Sequence, residues 1–477
     1  MKKLYQLTLL VSVLFAISNT AFSANELFRS SATGNWNANS TWEMSTNGGG
    51  TWFAATSTPT DASGSITVRN PNTVTVTVSV TANQLTVVGS ATLSVNAGII
   101  LTITDGSGED LVVNNGGTVS GLGTVQSQGA TTTFNIQTGA NFTTALKINT
   151  GTNTSYSSPS PFIAVYKGTI TVDAGATLSA LGGGYGIQSL GNITVNGTLS
   201  ANNSTFSMRG SIFTNNGVVN PTNLNFDSTT SLAGTGTYTP ANINITGSGN
   251  VSLSNNLTFS PTSTFNVNSG GILNCNTRVF TFNSGSFTSF SGSTIVASGT
   301  FQTQSNVNVI VKSGSNFNAT LRVNSGITTT YDDGSPYVAS LKGAIITDAG
   351  ATLSILAGGY GLQASSAIVN SGTISIGTGS SFRLIGSILL TNNGSITGQN
   401  FAMDSLVSIS GSGTYTCTTI SIGSSGNVTL LNGVTFSPGT FTINSGGTLI
   451  PSSETFTFTS GTVVLNSGAT VQGSGSL

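Results

Sequence analysis

KGTITVDAGATLSALGGGYGIQ, beginning at Lys167, returns as KGAIITDAGATLSILAGGYGLQ, beginning at Lys342. A second stretch, FNVNSGGILNCNTRVFTFNSGS from Phe265, returns as FTINSGGTLIPSSETFTFTSGT from Phe441, at nearly the same offset. These echoes define one long duplicated unit, with its first copy at 124–299 and its second at 300–477. Inside each copy runs a finer period. SVNAG, TVDAG, NVNSG, IVNSG and TINSG belong to a set of phrases recurring mostly at a spacing of about 15 to 24 residues. Alternating apolar residues give each phrase the period of a strand, and the Asn-Gly or Ser-Gly that closes it supplies the positive φ of a tight turn.

Short strands at this spacing fit either a sandwich or a solenoid. The return of one strand-turn phrase favours the solenoid, because each coil can then stack on the last. The predicted fold is therefore all-β: a single-stranded parallel β-helix (β-solenoid) with about 20 coils of roughly 21 residues, rising about 4.8 Å per coil to a rod near 95 Å long. Residues 61–123 form the first coils ahead of the duplicated unit. The second copy stops in mid-repeat, which reads as a truncated unit.

Composition agrees. Only 12 Lys+Arg and 13 Asp+Glu occur in 477 residues. Stacked coils set equivalent positions above one another, where like charges would repel and Asn, Ser or Thr can hydrogen-bond along the stack. At 37% hydrophobic residues the chain has the apolar surface that a disordered one lacks. Histidine is absent, which excludes a Ser-His-Asp triad, a Cys-His dyad and His-ligated zinc or haem. No cofactor is expected. The net charge of −1 leaves no basic footprint for nucleic acid.

Residues 1–23 begin with Lys2 and Lys3, continue through an apolar run from Leu7 to Ile17 and end in small residues at Ala21 and Ser23. This pattern is that of a secretory signal peptide, and its run is too short to span a bilayer. The mature chain is expected outside the cell, secreted or on the outer surface, with no membrane span. Cys275 and Cys417 are the only cysteines. About seven coils would separate them, on the order of 30 Å, too far for a disulfide.

Residues 24–60 differ from the rest and carry all three tryptophans, Trp36, Trp42 and Trp52. Two roles are open to these rings, a cap over the open end of the solenoid core or a carbohydrate platform; atypical terminal repeats favour the cap. GNWNANSTWEMSTNGGGTW from Gly34, followed by SGSITVRNPNTVTVTVSVTANQLTV from Ser63, resembles the N-terminal region of large secreted β-helix proteins of Bacteroidetes-type bacteria. The resemblance covers Phe28 to Asp110 and extends further only in repeat style. It implies a right-handed helix, surface attachment and an adhesin-like role. Members commonly end in a type IX secretion sorting domain, which has no counterpart in this sequence.

Solenoids also host polysaccharide hydrolases and lyases, so the carboxylates matter. Hydrolysis needs two of them about 5 to 9.5 Å apart. Asp173 and Asp227 lie between two and three coils apart, while Glu109 with Asp110 and Asp332 with Asp333 are neighbours in turn-like segments, where they are expected to face water. DGSGED from Asp105 gathers acids without the spacing of an EF-hand. The stronger candidate is the series Lys147, Lys167, Tyr185 and Arg209, echoed as Arg322, Lys342, Tyr360 and Arg383 at about one coil each. On one face, these would form a cationic, aromatic strip for an acidic polysaccharide. Tyr156 and Tyr331 lie in matching Ser/Pro-rich stretches expected to loop out beside it. Ice binding would need a threonine ladder repeated coil by coil, and TVTVTVSV from Thr73 is one strand. The expected function is a secreted or cell-surface structural, adhesin-like rod without catalytic activity, contacting extracellular polysaccharide or another cell surface; binding or lyase-type cleavage of acidic polysaccharide along the strip is the alternative.

Overall fold

The computed structural model describes residues 26–157, 164–180, 186–201, 204–296, 298–333, 339–358, 361–453 and 455–475. Residues 1–23, the expected signal peptide, lie outside them. The chain divides into two compact units, Met1–Ala145 and Leu146–Leu477. Both are parallel β-solenoid, and the only helix among the described residues is the 3-10 turn Asn39–Thr41. No described helix is long and apolar enough to cross a membrane.

In each unit a coil contains three strands, each pairing in parallel with its equivalent in the next coil, so that three ladders form three faces. In the first unit one ladder runs Ser65–Val68, Leu85–Val87, Leu111–Val113 and Thr131–Ile136. A second begins Thr73–Val76, Thr92–Val95 and Thr118–Ser120. A third runs Val80–Ala82, Ile100–Thr104 and Thr124–Gln128. Coil length varies around the expected period: Ile66↔Leu85 is a short step in this unit and Leu85↔Leu111 a long one. In the second unit Thr205↔Asn223 and Asn153↔Thr177 likewise fall on either side of it. Alternation decides the packing: in Thr177–Ala180, as in most strands, Leu and Ala point inward and Thr and Ser outward.

Inside the second unit, aromatic side chains stack from coil to coil. Ring centroids lie 4.8 Å apart for Tyr238 and Phe259, 4.8 Å for Phe259 and Phe280, and 5.0 Å for Phe280 and Phe301. These spacings match the coil rise, so the rings meet face to face along the core. Some corners are closed by Asp-Ala-Gly or Asn-Ala-Gly. Ala176 N–H donates to Asp173 O at 3.0 Å, and Gly175 takes φ +73°, a region open to glycine without penalty. Elsewhere glycine is needed for proximity: a Cβ on Gly217 would lie 2.0 Å from the Gly197 carbonyl oxygen of the preceding coil.

Polar groups follow the same ladder logic. Buried Asn370 donates to the amide oxygen of Asn392 at 2.7 Å and to Ser395 O at 3.0 Å, and Asn392 donates to Thr414 O at 3.2 Å. On an outer face Asn242 donates to Asn223 at 3.0 Å, while Asn225, Asn244 and Asn266 form a continuous amide row at 2.9 and 3.0 Å. Cys275 and Cys417 are separate buried thiols.

The cap reading of the tryptophans fits their placement. Leu27–Ser30 pairs in parallel with the first coil and antiparallel with Trp42–Ser45, which pairs antiparallel with Phe53–Ala54. Trp36 and Trp42 are buried, with ring centroids 5.2 Å apart at 75°, and their indole N–H groups donate to Pro59 O and Trp36 O. Trp52 lies under the Arg29 guanidinium, 4.1 Å from its ring. Two of the three rings are thus consumed by packing and present no platform.

The duplication has a further consequence in the second unit. Ala145–Ile148 opens a run of the third ladder that climbs eight coils to Asn316–Phe317. The duplicate of Ala145–Ile148 is the strand after that, Thr320–Val323, and it belongs to the first ladder. One unit therefore spans eight coils plus one strand, and within Leu146–Leu477 the strands of the first copy have their duplicates on a neighbouring face.

Candidate functional site

The cations of the expected strip do not share one face. Lys147 points out from the third face, and Lys167 and Arg209 sit at the corner after second-face strands. In the second copy Arg322 stands on the first face and Arg383 on the third, while Lys342 follows a third-face strand. Tyr185 and Tyr360 lie outside the described residues. Strand register also corrects the correspondence within the series: Phe206 and Phe382 occupy equivalent strands, so Arg383 matches Ser207, and Arg209 matches Ile385.

Most of these charges have partners one coil away. Lys147 Nζ lies 3.2 Å from Asp173, and the duplicated pair, Arg322 with Asp348, closes at 3.0 Å. Arg383 donates to Asp404 through Nε at 2.8 Å and a terminal nitrogen at 2.5 Å. At the matching place in the first copy, Ser207 donates to Asp227. Lys342 Nζ donates to the Asn316 side chain at 2.7 Å. The arrangement recurs: a cation in one coil neutralises an acid at the next corner. Half-exposed pairs of this kind contribute about 0–1 kcal/mol each and leave little free charge for a ligand. Arg209 is exposed and makes no side-chain ion pair among the described residues.

Three expectations about neighbouring residues are corrected. Tyr156 and Tyr331 do not loop out; both rings are buried, and Tyr156 packs 5.6 Å from Tyr166. Burial pushes both phenols well above their ordinary range, which suits core residues and not surface contacts. Asp333 is buried and does not face water. In DGSGED, Asp110 is also buried. It accepts from Gly106 N–H and Thr133 N–H, both at 2.7 Å, tying the loop to the next coil. Desolvation raises its carboxyl above the ordinary aspartate value of 3.8, against the backbone hydrogen bonds that lower it. No group of three or more His, Cys, Asp or Glu able to hold a metal occurs among the described residues.

A different array emerges on the second face of the Leu146–Leu477 unit. The tripeptides TTT, TLS, TIS, SIT, TYT, TFS and TFT, beginning at residues 328, 352, 373, 395, 414, 435 and 457, are register neighbours in seven successive coils. The middle residue points inward in each, and the flanking hydroxyls point out. The expectation that threonine does not repeat from coil to coil is thereby overturned. Its signal was present as two hydroxyl residues, Thr or Ser, on either side of one inward residue, recurring once per coil; a search for runs within one strand passes over it.

Comparison with known protein families, curated proteins and solved structures finds no match.

Proposed function

We propose that this chain is a structural, adhesin-like β-solenoid without catalytic activity, exported by the leader at 1–23 and working outside the cell. The observation that carries this reading is the pairing of Lys147, Arg322 and Arg383 with acids of the adjacent coil. Those cations, the best candidates for glycan chemistry, act as fastenings between coils. A lyase needs a base beside a neutralised uronate, and the corrected register puts the duplicated cations on different faces instead of in one groove.

The second reading, acidic-polysaccharide binding, keeps one observation in its favour: Arg209 is exposed and lacks an ion pair among the described residues. Titrating the full chain with alginate or polygalacturonate by calorimetry, while following unsaturated product by absorbance, separates the two. Neither binding nor product is expected. Binding that is lost in Arg209→Ala would establish the glycan reading in its place.

A further inference from the structure

We propose that the second face between Thr328 and Thr459 is an ice-binding surface. The argument begins with the inward residues. Thr329, Leu353, Ile374, Ile396, Tyr415 and Phe436 are buried in the core, so each coil holds the two residues around its anchor at fixed outward positions. Along a strand these outward positions repeat about every 6.7 Å, and from coil to coil about every 4.8 Å. The result is a two-dimensional grid of hydroxyls whose repeats lie close to oxygen spacings on ice planes.

The side chains suit that use. Threonine fills ten of the fourteen outward positions and serine the other four; threonine is stiff at χ1, so where it recurs its hydroxyl and methyl keep one orientation from coil to coil. Within the array, side-chain hydrogen bonds join Thr373 to Ser395 at 3.3 Å and Ser437 to Thr459. The other hydroxyls of the grid have no protein partner among the described residues and are left to water.

Charge is sparse across the grid, and the acid that shares a second-face strand with it, Asp332, stands at the end of Thr328–Asp332 in the first of its coils. Between residues 349 and 453 the sequence contains one cation and one acid, Arg383 and Asp404, and these pair with each other away from the second face. An ammonium or carboxylate in the grid would impose its own hydration shell. A glycan, by contrast, would find neither cations nor exposed aromatic rings here; Tyr415 and Phe436 are turned into the core. The surface offers regularly spaced hydroxyls, most of them with a threonine methyl beside them, a pattern fitted to a lattice of water.

The test uses the purified full chain. Adsorption into a slowly growing ice hemisphere and the gap between melting and freezing points are measured for the parent, for Thr397→Tyr within the grid, and for Thr429→Tyr on the first face. All three should share one circular dichroism spectrum and melting profile, since both sites point outward from strands that accept tyrosine. The parent and Thr429→Tyr are expected to enter ice and open a freezing gap, and Thr397→Tyr to lose most of both. Exclusion of the parent from ice, or equal activity of the two variants, would overturn the proposal. Retention on microcrystalline cellulose that is sensitive to Thr397→Tyr, without ice adsorption, would also overturn it and assign the face to a flat glycan.

Discussion

At the scale of single residues, burial determines what the reactive groups of this chain can do. Cys275 and Cys417 lie in the core, and desolvation pushes both thiols up to about 12 because the thiolate loses its water. Neither should react with a disulfide reagent in the native protein at pH 8 or 9, and both should react after unfolding in guanidinium. Rapid labelling of either in the folded state would contradict the placement. Their independence was readable in the sequence, since the coil period alone separates them too widely to bond. The burial of Asp110 was not. DGSGED has the composition of a solvated turn, and only the next coil supplies Thr133 N–H as the second donor that holds the carboxylate inside.

At the scale of the coil, inward asparagines show how the ladder satisfies its own backbone. Asn392 accepts from Asn370 and donates to Thr414 O, so it links three successive coils. Asn392→Leu removes an acceptor and a donor at once and leaves the Asn370 amide buried without that partner. A loss of about 1–3 kcal/mol is expected, the cost of an unsatisfied buried polar group, read as a lower midpoint in denaturant. An unchanged midpoint would show that the amide row contributes nothing. The TNNG phrases at Thr214 and Thr391 disclose such corners, but the sequence does not say which asparagine turns inward. In each phrase the first does, Asn215 and Asn392, because alternation from the preceding strand continues into the turn. The cation series fails for a related reason. Spacing near one coil was legible, yet register depends on which strands pair, and the equivalence of Phe206 with Phe382 sets Arg383 against Ser207 instead of Arg209.

At the scale of the whole molecule, solenoid architecture and parallel stacking were legible, because each follows from a period repeated many times. The phase of the duplication was not. The variable length of the coils hides the phase in sequence, and the unit holds eight coils and one strand, so duplication shifted outward residues to a neighbouring face. Duplication therefore does not lengthen a binding strip here. It distributes the copied residues around the solenoid, and the hydroxyl grid grows instead from strands that were never duplicates of one another within a face.

The solenoid stands on successive coils stacking in parallel and in register, and paired cysteines test that most directly. Ser408 and Thr429 are register partners in adjacent coils, and Ile450 is the partner of Thr429 one coil further on. Adjacent strands lie about 4.8 Å apart, within disulfide reach, and two coils are about twice that, beyond it. Under mild oxidation Ser408→Cys with Thr429→Cys should form an intramolecular disulfide quantitatively, and Ser408→Cys with Ile450→Cys should not. The reverse pattern, or equal yields from both pairs, would contradict the stacking.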